Sequence, residues 1–273
     1  MMSSIRVFKV FVFAFLLVAL SIGLELRPAQ AAPAAGECGS FTGLVACWRM
    51  EENGGTKLID WSGNGLDANI VGTMAWGPGK VGTYSLFLDD KNPYASVSYT
   101  QMPQITNAIS VAAWINPKAI GNQTIISKYA SSSIDGYQFS LAGDSAPVSG
   151  HEKRVYFRLN QKSSTNTYRV SSMDLYAINA WTFFVATFDG TDNSKPMKIY
   201  KNGELNILGG NPVTGPNTIA TNNLDLNIGK ENSSAYNFWG SLDDVRIYNR
   251  ALTADEIRAL FASPTAVNLA SFT

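Results

Sequence analysis

Through most of this chain apolar and polar residues trade places at every second position, in short runs that stop at Gly, Asn, Asp, Ser or Pro. That period marks half-buried strands closed by turns. The runs fall at residues 44–50, 84–88, 94–99, 109–115, 124–129, 137–141, 154–159, 168–171, 181–188, 197–200, 204–208, 224–228 and 240–248. Runs 84–88 and 94–99 read as a pair around Asp89-Asp90-Lys91-Asn92-Pro93, and 124–129 and 137–141 as a pair joined by a serine-rich turn. Lys201-Asn202-Gly203 between two apolar runs predicts a hairpin, since Asn-Gly accepts the positive φ of its turn. No run of strands alternates with long helices, so the expected fold is all-β: a two-sheet antiparallel sandwich with one short C-terminal helix.

Residues 240–257 combine a strand, a turn and a helix start. Strict alternation places Asp243 on the same face as Val245 and Ile247, toward a core. A carboxylate there needs hydrogen-bond donors or a cation, because burying it bare is prohibitive. Thr253 and Glu256 have the spacing of a capping box, with Leu252 and Ile257 as its hydrophobic staple. Pro264 then ends the helix.

The first residues change how the length is read. Arg6 and Lys9 precede the apolar run 10–20, and Ala29-Gln30-Ala31 offers a small-x-small cleavage site. Residues 1–31 are therefore expected to be a secretory signal peptide, with a retained membrane anchor as the alternative. The apolar run is short for a membrane span. Residues 32–43 form an N-terminal arm, 44–263 one β domain and 264–273 a loose tail. The expected location is outside the cytoplasm: secreted, periplasmic or at the cell surface. Removing residues 1–31 takes away three basic residues and one acidic one, leaving a net charge of −2. Such a surface gives no electrostatic case for nucleic acid. In an exported chain Cys38 and Cys47 can pair and tie the arm to the first strand; two unpaired thiols are the alternative. Their spacing does not match a zinc site.

In order, residues 44–52, Asp60-x-Ser62-Gly63-Asn64-Gly65, Tyr84-Ser85-Leu86-Phe87-Leu88, the 110–117 segment SVAAWINP, Ile126-Ser127-Lys128, 181–190, Ile199-Tyr200-Lys201-Asn202-Gly203 and 240–257 resemble the LamG-like jellyroll family of the concanavalin A-like lectin/glucanase superfamily. The resemblance covers nearly all of the mature chain. It implies two packed, curved antiparallel sheets with one concave face, secretion or surface attachment, carbohydrate or protein ligands, and a structural calcium ion. It also favours Asp243 as a calcium ligand.

Glucanases of this superfamily carry their carboxylates on one strand as Glu-x-Asp-x-x-Glu, whereas Glu37, Glu51, Glu52, Glu152, Glu204, Glu231 and Glu256 all lack an Asp two residues on. His151, in a polar loop, is the single histidine and reads as solvated, so no Ser–His–Asp triad can be assembled with confidence. The chain is thus expected to be non-catalytic. Asp60-x-Ser62-x-Asn64-Gly65 opens like an EF-hand, but Val71 stands where the bidentate Glu belongs, and that reading fails. A looser calcium site built on Asp243 with Asp60 and Asn64 survives; the alternatives are an Asx turn for Asp60 and backbone N–H donors for Asp243. Sugar sites use exposed aromatic faces beside fixed polar groups. The candidates near turns are Trp61, Tyr129, Tyr137, Tyr168, Tyr236 and Trp239, while Trp48, Trp114 and Trp181 belong to the core. The reading is a secreted, calcium-stabilised binding module for a polysaccharide or glycan. A surface adhesion protein with a protein partner, and a polysaccharide-degrading enzyme with unfamiliar catalytic residues, are the alternatives.

Overall fold

In the computed structural model, residues 38, 41–89, 91–130, 135–145, 149–160, 167–194, 196–208, 218–232 and 236–262 are described. The expected signal peptide, Pro264 and the C-terminal tail lie outside them. The alternating runs become strands β1 (Leu44–Trp48), β2 (Lys57–Leu58), β3 (Ala68–Val71), β4 (Ala75–Pro78), β5 (Tyr84–Leu88), β6 (Tyr94–Val97), β7 (Ala108–Pro117) and β8 (Gln123–Ala130). They continue as β9 (Asp135–Leu141), β10 (Arg154–Asn160), β11 (Thr167–Leu175), β12 (Thr182–Asp189), β13 (Met197–Lys201), β14 (Glu204–Leu205), β15 (Leu226–Ile228) and β16 (Gly240–Tyr248). Helix α1 (Ala254–Ala262) follows.

All pairings are antiparallel and make two sheets. The first runs β14-β13-β12-β7-β16-β5-β4, with β1 also on β16; the second runs β11-β10-β9-β8-β15-β6-β3-β2. Their facing sides share one core, with Val111, Phe184 and Leu242 from the first meeting Ile126, Phe139 and Phe157 from the second. The outer side of the first sheet is apolar as well: Trp114, Phe183, Val185 and Tyr248 pack under Leu252, Ile257 and Leu260 of the α1 segment. Central strands β7 and β12 are therefore buried on both faces, which is why their sequences read as nearly unbroken apolar runs.

The helix start is as expected. Glu256 N–H donates to Thr253 Oγ1 at 3.2 Å, and Thr253 N–H donates to Glu256 Oε2 at 2.8 Å. Asn202 (φ 51°) and Gly203 (φ 87°) make the turn between β13 and β14. Cys38 and Cys47 form a disulfide.

Two expectations are corrected. Runs 84–88 and 94–99 do not pair; β5 joins β4 and β16 in the first sheet, while β6 joins β3 and β15 in the second. The loop between them is a crossover between layers. Nor does Asp243 share a face with Val245 and Ile247. Opposite β7, the register steps from Asp243↔Trp114 to Arg246↔Ala112, three residues against two. This β-bulge has Asp244 at φ 49° and resets the alternation. Leu242, Val245 and Ile247 all enter the inter-sheet core, whereas Asp243 lies opposite Trp114, on the side covered by the helix.

Candidate functional site

Asp243 is fully buried in that position. Its Oδ2 accepts from Lys80 N–H at 2.7 Å and Val81 N–H at 2.9 Å, so it clamps the 79–82 turn onto β16. Its Oδ1 is buried and has no hydrogen-bond partner. Burial pushes its carboxyl up to about 8, with the nearby Asp244 and Glu51 charges adding to the effect. Glu51 grips the next part of the same turn, accepting from Thr83 N–H at 3.0 Å. An unpartnered buried carboxylate oxygen beside a second carboxylate and a backbone turn suits a hard, oxygen-loving cation such as calcium. Among the described residues no three His, Cys, Asp or Glu side chains converge on one point, so carbonyls and water would have to complete the shell.

Asp60 and Asn64 are placed differently. Asp60 Oδ1 accepts from the N–H groups of Cys47 and Ser62, both at 2.9 Å. Its Oδ2 accepts from Ser62 Oγ at 2.8 Å and Leu66 N–H at 2.9 Å. Asn64 Nδ2 donates to the carbonyls of Leu44 and Val45. Both side chains fasten the 60–66 loop to β1, and every Asp60 lone pair of note already faces a donor. They are not brought together with Asp243 by any shared partner.

The aromatic candidates separate by exposure. Tyr137 is a correction: it lies in the inter-sheet core, 2% exposed, because β9 turns it inward with Phe139 and Leu141. Tyr129 is also buried, with the Arg158 guanidinium 4.7 Å above its ring. Trp61 is half-buried under Arg49. The side chain of Tyr168 lies outside the described residues. Trp239 and Tyr236 are exposed, at 41% and 45%. Trp239 lines a cleft of about 320 Å³ with Asp89, Asn92, Gln123, Asn237 and Phe238, Gln123 being the first residue of β8. Its backbone is fixed on both sides: its N–H donates to Gln123 Oε1 at 2.8 Å, and its carbonyl accepts from Lys118 N–H at 2.9 Å.

The outer side of the second sheet is unlike that of the first. Register aligns Arg169, Arg158, Gln138, Ser127, Asn227, Ser96 and Asn69 across seven strands, from β11 to β3. A shorter row beside it holds Ser171, Tyr156, Ser140 and Thr124. Gln138 Nε2 donates to Glu231 Oε2 and Thr124 Oγ1, each at 3.1 Å. His151 is not simply solvated: its Nδ1 is 2.8 Å from Ser171 Oγ, and burial with the nearby Arg169 and Arg154 charges lowers its pKa below 6.5.

A family model described as the Concanavalin A-like lectin/glucanases superfamily matches residues 89–258. The chain belongs to this superfamily. Among solved structures, the chain is similar to the binding domain of Paraclostridial Mosquitocidal Protein 1, at 17% identity and a TM-score of 0.61, over 81% of this chain and 52% of that one. It is also similar to domain 4 of AbnA, a GH43 extracellular arabinanase from Geobacillus stearothermophilus, solved with arabinotriose: 21% identity, TM-score 0.58, 80% of this chain and 97% of that one. The binding domain of Botulinum Neurotoxin DC in complex with SialylT gives 19% identity and a TM-score of 0.55, over 81% and 52%. The chain thus spans about half the length of the two toxin binding domains it matches. No curated protein matches it. Among the described residues, no helix of this concanavalin A-like chain is long and apolar enough to cross a membrane.

Of the residues named from the sequence, Asp243 is buried at the 79–82 turn, Trp239 lines the cleft and Tyr236 is exposed outside its lining, whereas Glu51 at the turn and the polar rows were not among them. The rows did have a signal. Gln138-x-Ser140, Tyr156-x-Arg158 and Arg169-x-Ser171 keep polar groups at alternate positions with apolar residues between them.

Proposed function

We propose that this chain is an exported, non-catalytic glycan-binding module stabilised by one calcium ion. The observation that carries it is the Trp239 cleft. An exposed indole, held by its backbone beside carboxamides and a carboxylate, offers a sugar ring one apolar face and several hydrogen-bond partners. Two structural neighbours support the reading, since arabinotriose and SialylT are named with them. Export rests on the signal-like residues 1–31. Asp243, with the half-buried Glu51 across the turn, would hold the calcium ion, which would supply the positive charge that the buried Asp243 carboxylate lacks.

The test is a glycan array probed with the mature chain in calcium, followed by calorimetry on the best ligand. Trp239→Ala should weaken binding by about 1–3 kcal/mol, in the range of a stacked aromatic contact within a fixed polar site. Unchanged affinity would remove the cleft from the reading. A protein ligand is the second reading. It is favoured by the exposed apolar side chains of Met173, Leu175 and Leu205 on neighbouring strand ends, and by a botulinum binding domain solved with rat synaptotagmin II. A blank array beside recovery of a defined surface protein would move the conclusion there.

A further inference from the structure

The outer side of the second sheet carries a charged pair that the Trp239 cleft does not use. Arg158 on β10 and Arg169 on β11 stand directly opposite each other. Both point outward, since Phe157, Leu159 and Val170 beside them enter the inter-sheet core. Like charges opposite each other on paired strands are destabilising. The guanidiniums are nonetheless fixed in place: Arg158 lies 4.7 Å from the centre of the Tyr129 ring and Arg169 4.8 Å from that of Tyr156. Arg158 also donates from Nη1 to Gln138 Oε1 at 3.4 Å.

What the pair lacks is an anion bonded to it. The Nε of each arginine is buried without a hydrogen-bond partner, and Arg169 is only 9% exposed. Among the described residues neither forms an ion pair with a carboxylate. The Glu231 carboxylate nearby is engaged by Gln138. Buried donors left unpaired are costly, more so when charged, and two guanidinium forks on adjacent strands match the oxygens of a carboxylate or sulfate.

We infer that Arg158 and Arg169 form an oxyanion subsite, and that its ligand is an acidic saccharide whose carboxylate or sulfate sits between the two guanidiniums. The oxyanion follows from the pair alone; the saccharide that carries it rests on the glycan-binding reading above. Beside the pair, Gln138 and Ser127 are buried with their polar groups bonded within the protein, so the half-buried Arg158 is the member a ligand meets first.

The experiment uses the mature chain with four probes: an oligogalacturonate, a sulfated oligosaccharide, a neutral arabino-oligosaccharide of matched length, and inorganic sulfate. Calorimetry gives the affinities at low and high salt, and the arginine Nε–H signals are followed by NMR. At least one acidic oligosaccharide should bind ten-fold or more tightly than the neutral one and lose that advantage at high salt. It should shift the Nε–H signals of both arginines. The carboxylate and sulfate arms tell which oxyanion is preferred. Arg158→Gln, at the half-buried position, should abolish the preference while leaving thermal unfolding and neutral-sugar binding unchanged. Arg158→Lys, which keeps the charge but not the fork, should recover only part of it. Equal affinity for acidic and neutral sugars, indifferent to Arg158→Gln, overturns the subsite and leaves the Trp239 cleft standing. Nε–H shifts with inorganic sulfate but no saccharide bound overturn the acidic saccharide together with the glycan reading. No response to any probe overturns both.

Discussion

Replacing Asp243 by Asn should have opposite effects on stability with and without calcium. The substitution keeps one oxygen to accept from Lys80 and Val81 N–H, but removes the charge and the unpartnered Oδ1. Without a cation, the folded protein holds the Asp243 proton up to about pH 8, against 3.8 for the ordinary group. Its folded form therefore binds the extra proton between these values. Cation-free stability is full below about pH 4 and declines as pH rises toward 8. A displacement of this size corresponds to on the order of 5 kcal/mol across the window, at about 1.4 kcal/mol per pH unit. In EDTA at pH 8 to 9, Asp243→Asn should thus melt at or above the wild type, because nothing remains to ionise. Calcium should reverse the order: at a hundred times its Kd it would stabilise the wild type by about 2.7 kcal/mol. For a chain of this length that is a rise of roughly 5–10 °C in Tm. Calcium affinity should also climb with pH as the carboxyl deprotonates, since metal and proton compete for it. Scanning calorimetry of both proteins at pH 6 and 9, in EDTA and in calcium, reads all four corners. A wild-type Tm that ignores calcium at both pH values, with the variant ranked the same throughout, would refute the reasoning.

Other expected outcomes follow from local contacts. Thr253→Ala removes the acceptor of Glu256 N–H and should cost about 1 kcal/mol by chemical denaturation, with the Arg250–Glu256 ion pair retained. Reduction of Cys38–Cys47, or Cys38→Ser with Cys47→Ser, opens a loop with a sequence separation of 9 and should cost about 3 kcal/mol; equal melting with and without reductant would contradict this. The imidazole signals of His151 should titrate with a midpoint below 6.5, so its contribution to stability is present above that pH and fades as pH falls further. Ser171→Ala should move that midpoint, since it removes the hydroxyl against Nδ1.

Much of the fold was legible because its signals are local. Alternation located the longer strands, Asn202-Gly203 located a hairpin, and Thr253 with Glu256 located the helix start. Strands β2, β3 and β4 were missed. They hold two to four residues each, and β4 includes Gly77 and Pro78, so they are too short for a period to declare itself. Sheet membership was misread at 84–88 and 94–99 because a five-residue polar connection suits a hairpin as well as a crossover. Only the facing strands decide between them. The same limit hid the arginine pair: Arg158 and Arg169 are eleven positions apart in the chain and neighbours only through the β10–β11 register.

The bulge at Asp244 shows why a correct inference about Asp243 came with a wrong direction. Strict alternation would have sent the carboxylate between the sheets, into the apolar core that holds Val111, Phe184 and Ile199. One extra residue turns Asp243 to the other side, toward the N–H groups of Lys80 and Val81, and brings Leu242 into the core with Val245 and Ile247. A non-glycine residue at φ 49° is itself unfavourable. Here it is held by its own side chain: Asp244 takes the Arg246 guanidinium on both oxygens, at 2.9 and 2.6 Å, and Arg246 Nη1 reaches the Cys38 carbonyl. The disulfide then binds Cys38 to Cys47, which lies opposite Arg246 on β1. The bulge, the buried ion pair and the disulfide thus form one brace, and its product is a carboxylate aimed at a turn instead of the core.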